Sequence, residues 1–202
     1  MIGRTLVVLV ESLIISLTIS AVVVVLCQKS KTLKSFYGVV ATIMNSIPSL
    51  AILPLIIMWI GIGNSAIIAL VLHSVLWTFT IHVLGGIDSI PRTYKEFSDN
   101  IGISTLVRLK DVYLPASLPS IISGLKIAWG RAWRSLIGAE IIFGAIGSAG
   151  GLGYYININR QFGNMDKVLG GVIIIAGIGL IIEFVVFRKM EKILKKWGVN
   201  NG

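Results

Sequence analysis

The chain has 202 residues, of which 55% are hydrophobic and 13% are charged, and its formal net charge is +9. A soluble domain carries about 25% charged residues, so this composition lacks much of the polar surface that a soluble fold needs. The single cysteine, Cys27, excludes an internal disulfide framework and a cysteine-only metal site. The composition therefore predicts one all-α integral membrane domain over residues 1–202.

Five apolar runs are long enough to cross a bilayer as helices, which needs about 20 residues at about 1.5 Å per residue. The first run is too long for the apolar part of a signal peptide, and no small-residue cleavage site precedes the second run. We therefore expect the first run to be a span as well. The runs cover residues 6–27, 36–60, 66–84, 121–143 and 168–187.

The lysines and arginines predict how these runs are oriented. Of the 18 basic residues, 12 lie between runs one and two, between runs three and four, or after run five. Only Arg4, Arg160 and Lys167 lie on the opposite side. By the positive-inside rule, the amino terminus is outside and the carboxyl terminus is cytoplasmic. Because the basic residues lie at span ends, beside lipid headgroups, we expect the bilayer and no nucleic acid as their partner.

The second run is interrupted by Pro48 and Pro54, which remove backbone donors and are expected to kink the helix. Two interpretations remain open: a tolerated bend, or a broken helix that lines a transport pathway. After this run, Gly61, Gly63 and Asn64 predict a tight outer turn that leads into the third run.

The segment 88–119, between runs three and four, is the longest amphipathic stretch. Apolar residues recur there at helical spacing, Gly102 supplies a helix stop, and Ser104 can cap a second short helix. Because connections between packed helices are usually short, a charged helix–Gly–helix of this size predicts a binding partner on the cytoplasmic side.

The spacing inside this segment resembles the EAA loop of binding-protein-dependent ABC importer permeases. That loop reads Glu-Ala-Ala, three residues, Gly, nine residues, an aliphatic residue, any residue and Leu-Pro. The chain keeps this spacing without a gap and departs from the pattern only where Phe and Ser replace the two alanines. The loop residues are Glu96, Phe97, Ser98, Gly102, Val112, Leu114 and Pro115.

The resemblance extends over nearly the whole chain. Segments 48–51 and 59–63 resemble the corresponding helix of these permeases. Members of the nitrate, sulfonate and taurine subfamily, which the chain most resembles, commonly have a further helix upstream that we do not find in this sequence. The glycine betaine and methionine permeases share the five-span plan. The segments most similar to the subfamily are 130–134, 139–140, 151–154 and 197–198.

The resemblance implies a type I ABC importer permease fold with about five transmembrane helices, in a bacterial cell membrane. The loop 88–119 would then form a coupling helix on a cytoplasmic ABC ATPase, with Glu96 as the charge that meets the ATPase and Gly102 as the turn. Expected partners are two ATPase subunits, a second permease subunit in a homodimer or heterodimer, and an extracytoplasmic substrate-binding protein. The chain would be no enzyme, and ATP and magnesium are expected in the partner ATPase.

The implied solute is a sulfonate, nitrate, taurine or a related small anion. A betaine-like osmolyte, an amino acid or a vitamin precursor is the alternative. A more distant alternative is a secondary transporter or membrane assembly factor that needs no ATPase, and the EAA spacing argues against it.

The sequence indicates no catalytic residue, metal ligand or cofactor site in the chain itself. The glycine-rich stretch 144–153 has no lysine and so lacks a Walker A motif; we expect an outer loop with closely packed glycines. His73 and His82 are nine residues apart, on opposite faces of the third run, which predicts packed histidines and no shared metal.

The fourth run contains ionisable residues, each of which costs about 2.5–3.5 kcal/mol inside a membrane on insertion scales. Arg131 and Arg134 share one helix face with glycines. In one interpretation these arginines pair with a carboxylate, such as Glu140 of another helix or chain, Glu11 or Glu183, and hold helices together. In the other, an arginine attracts an anionic substrate in the translocation path. The sequence alone favours the first interpretation.

Overall fold

The computed structural model describes residues 1–91, 93, 104–143 and 150–196. This part of the chain is almost entirely helical and contains no strand, which confirms the all-α class. In chain order its elements are α1 Ile2–Lys29, α2 Lys31–Ser46, a 3₁₀ turn Ser49–Ile52, α3 Leu53–Ile60, α4 Asn64–Asp88, α5 Thr105–Arg108, a π segment Leu109–Tyr113, α6 Leu114–Phe143, α7 Leu152–Gln161, α8 Met165–Ile181, a π segment Ile182–Phe187 and α9 Arg188–Lys196.

Helix α4 is the centre of the fold and packs most extensively against α6 and α1. On α1, the buried serines Ser12, Ser16 and Ser20 recur every fourth residue, and each hydroxyl donates to the carbonyl four residues earlier at 2.6–2.7 Å. Small residues at this spacing let helix backbones approach closely, which matters in a membrane because packing rather than water exclusion holds helices together. Gly124 of α6 has the same effect, since an added Cβ would lie 2.9 Å from the Cβ of His82 on α4.

The predicted kink in the second run is present and lies at Pro48. Helix α2 ends at Ser46, and the segment Ser49–Ile60 continues at an angle of 89° to it. Pro54 lies in the first turn of α3, where a missing N–H removes no helical hydrogen bond. The predicted turn after this run is also present, because α3 ends at Ile60 and the following residue, Gly61, has a φ of 83°.

Three described helices are long and apolar enough to cross a membrane, and the bent pair of α2 with Ser49–Ile60 makes a fourth. Helix α6, which contains the predicted fourth run, is not among them, since four ionisable residues interrupt its apolar character. The count of five spans therefore stays a prediction. The three helices are Ile2–Lys29, Asn64–Asp88 and Met165–Lys192.

Helix α7 was not predicted from the sequence, which indicated an outer loop over residues 144–153. Residues 144–149 lie outside the described part of the chain, and α7 begins directly afterwards at Leu152. With 10 residues it is too short to cross a bilayer. Its buried residues Leu152, Ile156 and Asn159 recur at helical spacing and attach it to the bundle.

Candidate functional site

A cavity of about 380 Å³ lies at the break that follows α2. This volume falls within the range of about 300–1,000 Å³ that is typical of small-molecule sites. Irregular backbone at membrane depth is tolerated where it lines a cavity, so the break and the cavity are physically linked. The walls are formed by residues 44–50, by His73 and Ser74 of α4, and by Arg131, Arg134 and Ser135 of α6.

Asn45, in the last turn of α2, joins three helices at this cavity. Its side-chain oxygen accepts a hydrogen bond from Arg131 Nη1 at 2.8 Å and another from Thr78 Oγ1 at 2.7 Å. A second polar contact joins the break to α6, because the hydroxyls of Ser49 and Ser135 are hydrogen-bonded at 2.8 Å. Polar contacts between α2, α4 and α6 therefore define the walls of the cavity.

The cavity is cationic. Arg131 and Arg134 line it, and no described aspartate or glutamate does. Arg131 is half-buried, and within the described residues its hydrogen-bond partner is a neutral amide. Arg134 is exposed and forms no hydrogen bond or ion pair with the described part of the chain. Both ring nitrogens of His73 are buried without a hydrogen-bond partner among the same residues.

The carboxylates that the sequence suggested as partners of these arginines contact neither arginine within the described residues. Glu183 forms an ion pair with Lys126 at 2.7 Å, and Glu11 is exposed on α1. Glu140 accepts hydrogen bonds from Thr5 and the Gly153 N–H and binds neither arginine. Within the described residues Arg131 is therefore held by Asn45 and not by a carboxylate, and pairing with a carboxylate of another chain stays a prediction.

Glu140 is buried at the amino-terminal end of α7. The hydroxyl of Thr5 donates to its two carboxylate oxygens at 2.9 and 3.0 Å, and the Gly153 N–H donates to one of them at 2.9 Å. The Leu152 N–H in turn donates to Thr5 Oγ1 at 2.9 Å. The first N–H groups of a helix lack partners inside the helix and carry partial positive charge, so a carboxylate there is stabilising. Glu140 thus connects α1, α6 and α7.

Comparison with known proteins relates this arrangement to a family. The family model described as "Binding-protein-dependent transport system inner membrane component" matches residues 12–194. The match includes the broken second run, the cavity with its two arginines and the segment before α6. The chain belongs to this family.

Curated relatives match most of this chain. The taurine transport system permease protein TauC of Escherichia coli (strain K12) is 30% identical over 168 residues, which are 83% of this chain and 59% of TauC. The nitrate import permease protein NrtB of Leptolyngbya laminosa is 28% identical over 144 residues, which are 71% of this chain and 50% of NrtB. The chain thus spans between half and three fifths of the length of these two relatives.

A solved structure shows the same fold. A chain of the methionine ABC transporter MetNI, in inward-facing conformations, has a TM-score of 0.65 to this protein over 94% of this chain and 91% of that chain. The sequence identity is 21%, so the likeness establishes the fold and nothing further.

The predicted coupling loop, residues 88–119, is described at residues 88–91, 93 and 104–119. Leu114 and Pro115 form the first turn of α6, and both are exposed. The roles predicted for the other loop residues therefore stay predictions. The residues that lie outside the described part of the chain are Glu96, Phe97, Ser98 and Gly102.

Several cavity residues were not identified from the sequence. A signal was available for Asn45, because it is an amide inside an apolar run, three residues before the proline that breaks the helix. Polar groups at membrane depth are costly and usually face protein or water. His73, Ser49 and Ser135 offered no comparable signal, since each also fits an ordinary packed position.

Proposed function

We propose that this chain is the permease subunit of an ATP-driven ABC importer that carries a small anion delivered by a substrate-binding protein. The observation that carries the proposal is the family match over residues 12–194. TauC and NrtB support the substrate class, because taurine contains a sulfonate and nitrate is itself an oxyanion. The cationic cavity agrees with such a solute, since guanidinium groups match oxyanions in charge and geometry.

The proposal includes three kinds of partner. Two cytoplasmic ATPase subunits would bind ATP and magnesium and hydrolyse ATP, a second permease subunit would complete the pathway, and a binding protein would deliver the solute from outside. The pathway would face outward with ATP bound and inward after hydrolysis. A large apolar surface supports lateral contact with lipid or with the second subunit, because only 6% of the most apolar part of Met165–Lys192 is buried within the chain.

Uptake by the reconstituted complex tests this function. The permease is reconstituted in lipid vesicles with its cognate ATPase and binding protein, and uptake of nitrate, taurine and methanesulfonate is compared with that of glycine betaine and methionine. We expect uptake of at least one of the first three, dependent on both ATP and the binding protein. Preference for glycine betaine or methionine would contradict the substrate class. Uptake without the ATPase would indicate a secondary transporter and overturn the proposal.

We also propose that the amino terminus is outside and the carboxyl terminus is cytoplasmic. Two contacts support the assignment of helix ends to the same side of the membrane. Lys34 forms an ion pair with Asp88, so the beginning of α2 lies beside the end of α4. Arg4 Nη2 donates to Asn64 Oδ1 at 3.4 Å, so the beginnings of α1 and α4 lie together. The distribution of basic residues then indicates which group is cytoplasmic.

Cysteine labelling tests this orientation. Single cysteines are placed at Lys31, Glu96, Lys195 and Asn157 in a Cys27→Ala background, in which the native buried thiol is removed. An impermeant thiol reagent on intact spheroplasts is expected to label only the variant at Asn157, and lysis should expose the other three. Labelling at Lys31 but not at Asn157 would reverse the orientation.

A further inference from the structure

We propose that the cavity at the break after α2 is an anion-binding site on the translocation path, in which Arg131 and Arg134 bind an oxyanion and Asn45 holds Arg131 in position. The inference rests on the proposed function and adds to it the residues that meet the solute inside the membrane.

The contacts of Arg131 leave its guanidinium able to bind an anion. A guanidinium has several N–H donors in a planar fork, and the described residues provide one acceptor for them, Asn45 Oδ1 at 2.8 Å. A neutral amide does not compensate a positive charge at membrane depth. Arg134 follows three residues later on the same helix and lines the same cavity. Together the two guanidinium groups can bind an oxyanion through charge-assisted hydrogen bonds.

The neutral side chain at position 45 argues for an anion site rather than a structural ion pair. An aspartate has nearly the same shape as an asparagine and would pair with Arg131 directly. The chain does use carboxylates for another cation of α6, because Lys126 contacts Glu183 at 2.7 Å and Glu191 at 3.4 Å. Asn45 is itself held by Thr78 Oγ1 at 2.7 Å. The amide therefore positions the guanidinium of Arg131 without neutralising it.

The other walls of the cavity suit a small polar solute. The hydroxyls of Ser49 and Ser135 lie at the same break and bond to each other at 2.8 Å. His73 also lines the cavity, and its ring nitrogens are without a hydrogen-bond partner among the described residues. Broken helices form substrate sites near the bilayer midplane in several transporter folds, because the interrupted backbone supplies polar groups there.

Helix α6 links this site to the predicted coupling loop. It runs without interruption from Leu114 to Phe143, and Arg131 lies roughly 25 Å along the helix axis from Leu114 at about 1.5 Å per residue. Asn45 belongs to a different helix, α2. A displacement of α6 by the ATPase would therefore move the guanidinium relative to the amide that positions it, and would change the affinity of the site during the transport cycle.

The variant Asn45→Asp separates an anion site from a structural contact. In the reconstituted complex with its binding protein, taurine or nitrate uptake is expected to fall about 10- to 100-fold, since a carboxylate beside Arg131 competes with the anion for a charge-assisted hydrogen bond. Assembly yield should stay at the wild-type level, because the shape is conserved and a new ion pair forms. The maximal rate per assembled complex should fall, while the half-saturating concentration, which the binding protein sets, should not change.

Three further variants complete the test. Arg131→Gln should reduce uptake as strongly as Asn45→Asp, and Arg131→Lys should retain part of the uptake because it keeps the charge. Arg160→Gln is the matched control, since Arg160 is an exposed arginine on α7 away from the cavity, and its uptake should equal that of the wild type.

The outcomes distinguish this inference from the proposed function. Wild-type vesicles that take up none of the anions would overturn both. Wild-type uptake together with unchanged uptake by Asn45→Asp and Arg131→Gln would overturn the anion site alone.

An anionic lipid headgroup offers the same oxyanion chemistry, so the series is run with and without phosphatidylglycerol. A loss of uptake that occurs only with phosphatidylglycerol would assign the cavity to lipid and contradict the inference, whereas equal losses in both support it.

Discussion

The variant Glu140→Ala is expected to lower the melting temperature of the detergent-purified permease complex by about 5 °C or more. The change removes the acceptor of the Gly153 N–H and of the Thr5 hydroxyl, and both donors stay buried. A buried donor without a partner costs about 1–3 kcal/mol, and about 1 kcal/mol corresponds to about 2–4 °C for a chain of this size. Thermal unfolding followed by tryptophan fluorescence measures the effect.

Two further variants define the cause of this loss. Thr5→Val keeps the shape of the side chain but removes the acceptor of the Leu152 N–H, so it should also destabilise the complex. Because Thr5 and Glu140 belong to one network, the double variant should be less destabilised than the sum of the two single variants. Glu11→Ala is the matched control, since Glu11 is an exposed glutamate on α1, and its melting temperature should not change.

An arginine of a second subunit is the competing partner for Glu140. In that case Arg131→Gln, combined with Glu140→Ala, would restore stability because it removes the charge left without a partner. Such a rescue, or an unchanged melting temperature for Glu140→Ala alone, would contradict the capping of α7 by Glu140.

The variant Glu96→Lys is expected to reduce uptake by the reconstituted complex about tenfold or more, because it would reverse the charge that the predicted EAA loop is proposed to present to the ATPase, and like charges across an interface are strongly unfavourable. Gly102→Val should act similarly, since a β-branched residue resists the left-handed conformation that the predicted helix stop requires. Both positions lie outside the apolar runs, so the amount of permease in the membrane fraction should stay at the wild-type level. The measurements are co-purification of the ATPase and the ratio of ATP hydrolysed to solute imported.

Asp111→Lys is the control for the charge reversal. Asp111 is an exposed residue of the π segment before α6, at a position that the EAA pattern leaves open to any residue. We expect it to import solute at the wild-type rate. If Glu96→Lys and Gly102→Val also bind the ATPase and import solute as the wild type does, the assignment of a coupling helix to this loop is wrong.

The site could be predicted from the sequence only in part. The arginines were identifiable as charges inside an apolar run, and the kink was identifiable from Pro48, since a proline in a helix interior removes a backbone donor and usually bends or breaks the helix. Asn45 and His73 were not assigned to the same cavity, because they belong to different helices. Spacing along the chain does not show which faces of two helices pack against each other. The contact between Glu140 and Thr5 was not predicted for the same reason, because Thr5 lies 135 residues away along the chain.

The sequence by itself determined the membrane class, the positions of the apolar runs and the EAA spacing. These properties depend on composition and on distance along the chain, which packing does not alter. Only the tertiary structure decided which polar groups meet the buried charges, as in the contact between Arg131 and Asn45 across 86 residues of sequence. At membrane depth an ionisable group binds whatever suitable partner the packing brings near, because leaving it without one is costly. Which partner an ionisable group contacts depends on how α2, α4 and α6 pack. The spacing of residues within each helix carries no information about this packing.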